Sequence, residues 1–97
     1  MLIKKTTLPT KNNRTPYPLH NQHIHLQHFV ERITTPDNPF APHKHEQAEL
    51  WYIVEGEALV QLDEQEQTAE PGDLIIIEPW CVHGLRTTGH VKWICLG

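Results

Sequence analysis

The sequence predicts an all-β domain, a sandwich or barrel of seven or eight short strands, and three observations predict it. Turn signals recur at short and fairly even intervals. Apolar residues alternate with polar ones in steps of two, without a sustained helical period. The 8 prolines fall where they would interrupt most helices.

Residues 1 to 18 read as an extended arm, because Lys, Thr and Asn dominate there and Pro9, Pro16 and Pro18 break it up. The single folded domain then runs from 19 to 97. Its first candidate strand is Ile24 to Ile33, where Ile24 and Leu26 alternate with His23, His25 and Gln27. Phe40 to His45 is a short segment bounded by prolines. Leu50 to Val54 is aromatic and β-branched, as strands are, and ends at a Glu55-Gly56 turn. Ala58 to Leu62 alternates Ala58, Val60 and Leu62 with Leu59 and Gln61, and the polar stretch Asp63 to Gln67 reads as a hairpin loop. Pro71-Gly72 is a turn, and Leu74 to Ile77 has the continuous apolar character of a fully buried strand. Val82 to Arg86 and Val91 to Leu96 complete the series, separated by Thr88-Gly89.

Composition narrows the function. With 97 residues and 38% hydrophobic content, the chain can build one core and no second. The net charge is −4, and four of the eight basic residues (Lys4, Lys5, Lys11, Arg14) lie in the arm, so the remaining domain is acidic. An acidic surface argues against nucleic acid and anionic membranes as partners. No apolar run approaches the roughly 20 residues of a membrane helix. The first residues lack a secretory h-region, so the expected location is the cytoplasm. Two cysteines, Cys81 and Cys95, are too few for a disulfide scaffold.

Histidine is the unusual count, 8 in 97 residues, and metal ligation is the first reason to test. In the stretch from Pro42 to Gly56, His43 and His45 stand two apart and would share one face of a strand. Glu49 follows four residues later, either on that face or returning from a hairpin. H-x-H alone is weak, since His23-Ile24-His25 repeats it in the same chain. The larger pattern is more specific: H-x-H, three residues, Glu, six residues, Gly56, fifteen residues, Gly72, and His83 eleven positions after Gly72.

This pair of spaced motifs resembles the small single-domain members of the cupin superfamily, over about residues 24 to 97. The resemblance implies an antiparallel jelly-roll β-barrel whose interior holds one divalent transition metal (Mn, Fe, Co, Ni or Zn). Carried over residue by residue, it implies His43, His45, Glu49 and His83 as ligands. The chain departs from the family pattern at Asp37, Glu78, Trp80 and Thr87, where glycine, proline, glycine and asparagine are usual. These changes bear on turns and the rim more than on the ligand set.

Three imidazoles and a carboxylate suit borderline divalent ions and disfavour soft Cu(I). Around a six-coordinate ion, four protein ligands leave two positions for water or a bidentate substrate. The expected function is a metalloenzyme acting on a small polar molecule, of oxygenase, isomerase or lyase type, with Glu78, Glu46 or a metal-bound water as candidate acid or base. The alternatives are a non-catalytic, metal-dependent module binding a sugar or acid, and a structural barrel with an adventitious ion.

Trp51, Trp80 and Cys81 are candidate pocket-lining residues, though a large apolar side chain or small thiol in a barrel also serves as ordinary packing. Cys95 reads as core. His23, His25 and His28 read as the solvated face of an edge strand, or else as pocket or second-metal residues together with His20. Arg86 and Lys92 are either solvated or anion-binding. Small cupins are commonly homodimers, so the arm either crosses to a partner sheet or is a disordered tail.

Overall fold

The aromatic and β-branched run after Ala48 forms the centre of the molecule. A computed structural model of the chain describes residues 1–12, 14–20, 24 and 26–97. Among them are nine strands: β1 (Leu2–Ile3), β2 (Phe29–Thr34), β3 (Phe40–His43), β4 (Glu49–Glu55), β5 (Ala58–Leu62), β6 (Gln65–Ala69), β7 (Leu74–Ile77), β8 (His83–Arg86) and β9 (Val91–Leu96). They make two sheets, ordered β1-β7-β4-β9-β2 and β3-β8-β5-β6, and every pairing is antiparallel. This is the jelly-roll arrangement of an all-β chain. A three-residue turn of 3-10 helix, Lys5–Thr7, is the sole helical segment among the described residues.

Side-chain alternation explains the layering. Trp51 and Ile53 of β4 and Val91, Trp93 and Cys95 of β9 point inward from one sheet. Ala58, Val60, Ala69 and Leu85 point inward from the other, and all nine join one buried cluster. At its middle the rings of Trp51 and Trp93 lie 4.7 Å apart, with Phe40 edge-on to both at 5.6 and 5.2 Å. Such edge contacts suit the aromatic quadrupole. The Trp93 indole N–H donates to the Thr34 hydroxyl at 3.0 Å, so its one polar atom is satisfied.

β7 is buried on both faces because the first residues of the chain cover its outer side. Ile75 and Ile77 face the main core, while Leu74 and Ile76 pack with Ile3, Leu8 and Tyr17 in a second cluster. β1 pairs with the chain's own β7. The buried Asp73 carboxylate accepts the Lys5 amide at 2.9 Å, the Glu70 amide at 2.7 Å and the Lys4 ammonium. The Tyr17 hydroxyl donates to the Gly72 carbonyl, and burial beside Tyr52 pushes its pKa up to about 12. Residues 1–8 and Tyr17 thus dock on their own sheet.

Two expectations change. The stretch from Asp63 to Gln67 is not all loop: only Asp63 and Glu64 turn, and Gln65–Ala69 is strand β6. Its side chains are mostly exposed, so the ladder to β5 forms it without an apolar signature. The first strand of the domain is also later than expected, at Phe29–Thr34. The Gly56 turn stands as predicted: its φ is +84°, and a Cβ there would lie 1.9 Å from the His90 carbonyl oxygen.

Trp93→Ala should lower stability by about 3–5 kcal/mol in urea titration. A loss under about 1 kcal/mol would contradict the central place of the aromatic cluster.

Candidate metal centre

His43 ends β3 and His83 begins β8, and the two are direct cross-strand partners. Their side chains therefore rise from the same face of the four-stranded sheet, with ring centroids 4.4 Å apart. Glu49 begins β4 in the opposite sheet and points into the space between the layers, 8% exposed. His45 lies beyond the end of β3, so it does not share a strand face with His43 as the spacing suggested. A bond from the Trp80 amide to the His45 carbonyl, 2.8 Å, holds this loop in place. The ring of His45 stands 5.5 Å from that of His43 and 4.6 Å from that of His83.

The three histidines cluster, and Glu49 borders two of them. Donor atoms of His43, His45 and His83 lie within 4.8 Å of one another. Glu49 Oε1 is 3.5 Å from His45 Nε2 and 3.8 Å from His83 Nε2. Backbone carbonyls can only accept, so the contacts of His83 Nδ1 with the Cys81 oxygen (2.7 Å) and His43 Nδ1 with the Ala41 oxygen (3.0 Å) place a proton on each Nδ1. In the neutral rings each Nε2 is then a lone-pair donor. His83 Nε2 is buried and has no hydrogen-bond partner. Burial, the largest cause, lowers the His83 pKa from its usual value, against an opposing pull from the Cys81 carbonyl.

Glu49 is steered from two sides. The Trp51 indole N–H donates to Oε1 at 3.3 Å. On the other side Oε2 lies 3.3 Å from Nε2 of His28, which in turn lies 3.4 Å from Cys95 Sγ. His28, with 40% of its side chain exposed, is therefore more than a solvated residue ahead of an edge strand. Cys95 is core, as expected, and also a neighbour of the carboxylate. Burial, then the Glu49 charge, pushes its pKa up to about 12. His23 and His25 lie outside the described residues, and His20 is exposed.

The other singled-out residues separate. Trp51 is fully buried, its ring 5.4 Å from that of His83, and it backs the site as a wall. Cys81 and Trp80 line a different cleft, of about 1150 Å³, with Met1, Leu2 and Glu78. That cleft reaches none of the four clustered donors. Burial raises the Cys81 pKa, and its contribution to the cluster is its backbone carbonyl. Trp80 occupies the third position of a Glu78-to-Cys81 turn closed at 3.1 Å, with Pro79 second and φ +64° at Trp80. This is the type II pattern, in which that third position favours glycine. Arg86 is held by both oxygens of Glu66, at 3.0 and 2.9 Å, and Lys92 faces Glu55 at 4.0 Å.

A pocket of about 520 Å³ opens onto His45 and Glu49, rimmed by Gln27, His28, Glu46 and Gln47. It is one way in from solvent, and Trp51, Trp93 and Phe40 fill the space between the sheets.

The family model for the cupin domain matches residues 32–97, more than half of the chain. The chain belongs to the cupin family. Among solved structures this cupin is similar to a predicted oxalate decarboxylase of Thermotoga maritima, with TM-score 0.67 and 19% identity, covering 73% of this chain and 64% of that one. It is also similar to a cupin-2 domain protein of Shewanella frigidimarina, with TM-score 0.65, 19% identity and coverage of 79% and 82%. A third is a cupin 2 conserved barrel protein of Rhodopseudomonas palustris, with TM-score 0.66, 17% identity and coverage of 70% and 48%. The cupin thus spans less than two thirds of the Thermotoga protein. At these identities the likeness shows the fold alone. No curated protein matches the sequence.

The lowered His83 pKa sets a pH dependence for the metal-free cupin. The unfolded chain protonates this ring near 6.5 and the folded chain does so only at lower pH. Stability from this group is therefore full above pH 6.5 and lost as the pH falls below it. Urea titrations of metal-free protein should show this loss, and His83→Gln should show less of it. Equal pH dependence in both would contradict a buried, neutral His83.

Proposed function

We propose that this cupin is a metal-dependent enzyme that acts on a small polar molecule at the His43, His45, Glu49 and His83 centre. One observation carries the reading. The carboxylate of Glu49 is buried, and its ionic partners among the described residues are all histidines. A buried carboxylate costs several kcal/mol unless hydrogen-bond donors and a cation compensate it. A divalent transition ion satisfies both the carboxylate and the unpartnered His83 nitrogen, and three imidazoles with one carboxylate are the donors such ions take.

Bound there, the ion would supply Lewis acidity and positions for exchangeable ligands. The protein's share is to bind and orient. The pocket admits a molecule of modest size, and Gln27, Gln47 and Glu46 offer amides and a carboxylate to its polar groups. Glu46 is the candidate acid or base on this side, since Glu78 lines the other cleft. The Trp51 wall excludes water from behind the ion and holds Glu49 in place. The same geometry serves a binding module that turns nothing over, so catalysis is separated from capture by product formation.

We propose further that the protein self-associates through β2, in the cytoplasm. β2 is the last strand of its sheet, with Phe29 and Ile33 65% and 51% exposed. Its two cysteines are free thiols, which supports a reducing compartment. Ile33→Glu should shift sedimentation from dimer to monomer, and a native chain that sediments as a monomer would contradict the association.

Untagged protein should carry at least one divalent metal per chain by elemental analysis. His83→Ala or His45→Ala should carry one fewer. At a metal concentration a hundredfold above Kd, removal by a chelator should cost about 2.7 kcal/mol of stability. Metal absent from reconstituted native protein, with an unchanged melt, would overturn the reading.

A further inference from the structure

The carboxylate of Glu49 has two oxygens, and they face different sets of donors. Oε1 faces His45 and His83, while Oε2 faces His28 at 3.3 Å. Beyond His28 Nε2, at 3.4 Å, stands Cys95 Sγ, and the three donor atoms of His28, Glu49 and Cys95 all lie within 4.8 Å of one another. They arrive from separate parts of the chain: the residue before β2, the start of β4 and the penultimate residue of β9. Around a tetrahedral ion with bonds of about 2.0–2.3 Å, neighbouring donors stand roughly 3.3–3.8 Å apart. The two separations from His28 fall in that range, and the third, between Glu49 and Cys95, closes from within 4.8 Å.

We propose that His28, Glu49 and Cys95 form a second divalent-cation site, which shares the Glu49 carboxylate with the His43/His45/His83 centre. The proposal rests on the proposed function only for that shared carboxylate. One imidazole, one carboxylate and one thiolate make a set for zinc or cobalt and a poor one for magnesium or calcium. Binding forms a metal–sulfur bond as the Cys95 S–H bond breaks, and the proton leaves to solvent. The three ligands leave a fourth position toward the pocket that His28, Glu49 and Gly97 line, which is also the entry path. With both sites filled, the carboxylate bridges two cations.

Titrating metal-free, full-length protein with Co²⁺ tests this, because a thiolate bound to cobalt gives a near-ultraviolet charge-transfer band that imidazole and carboxylate do not. Two equivalents should bind, with the band developing alongside one of them. Cys95→Ser should bind one equivalent without the band, and Cys81→Ser should keep both. His28→Ala, at a partly exposed position, should likewise lose the band, which keeps the test sound if Cys95→Ser folds poorly. One equivalent and no band in native protein would overturn the second site and leave the first standing. No cobalt bound at all would overturn both. A band that survives in Cys95→Ser but not in Cys81→Ser would place the metal elsewhere and overturn the proposal.

Discussion

A charged group buried between two sheets is the constraint on which this end of the molecule depends. Glu49 opens a strand whose alternation sends positions 49, 51 and 53 inward, so the carboxylate is carried into the interior by the register that buries Trp51 and Ile53. A one-residue slip would turn all three outward. The surroundings answer that charge with an indole N–H and three imidazoles at 3.3 to 3.8 Å. These donors solvate the carboxylate, and a divalent cation would balance its charge.

The aromatic cluster supplies the rigidity. Trp51 both packs on Trp93 and donates to Glu49, while its ring lies against His83, so core and site are joined through one side chain. Phe40 reaches Trp51 and Trp93 and also meets the His43 ring edge-on at 4.9 Å. Backbone carbonyls of Ala41 and Cys81 fix the tautomers of His43 and His83. His45 is set by the turn at Trp80, whose left-handed backbone is an unusual state for a bulky residue. The donors are therefore held by packing and backbone contacts made independently of any ion, which is what preorganisation requires. Farther out, the arm on β7 seals the back of the sheet that carries Glu49 and lets Leu74–Ile77 be apolar on both faces.

Where burial alternates, or is continuous as in β7, the elements were legible in the sequence. Ala58–Leu62, Leu74–Ile77 and Val91–Leu96 have the bounds that their apolar patterns predict. β6 was not legible, because an exposed edge strand is formed by its backbone ladder and its Gln-Glu-Gln-Thr side chains say nothing of it. β1 is two residues long and exists only by pairing with a strand some seventy residues away. The convergence of His43, His45, Glu49 and His83 was expected from motif spacing and family resemblance together, whereas H-x-H alone also fits His23 and His25. The histidine count offers His28 as a pocket or second-metal residue, but nothing in the sequence signals its meeting with Cys95, 67 residues away, at Glu49. Cys81, a candidate pocket-lining residue two before His83, would share its face only in a continuous strand, and β8 begins at His83.

The central claim is that a buried carboxylate and three imidazoles are held ready for one divalent ion. Anomalous diffraction from crystals of metal-loaded protein, recorded above and below the absorption edge of the metal, tests it most directly. The account predicts a strong peak between His83 Nε2, Glu49 Oε1 and the rings of His43 and His45. Density confined to other histidines, or none in protein shown to contain metal, would contradict it.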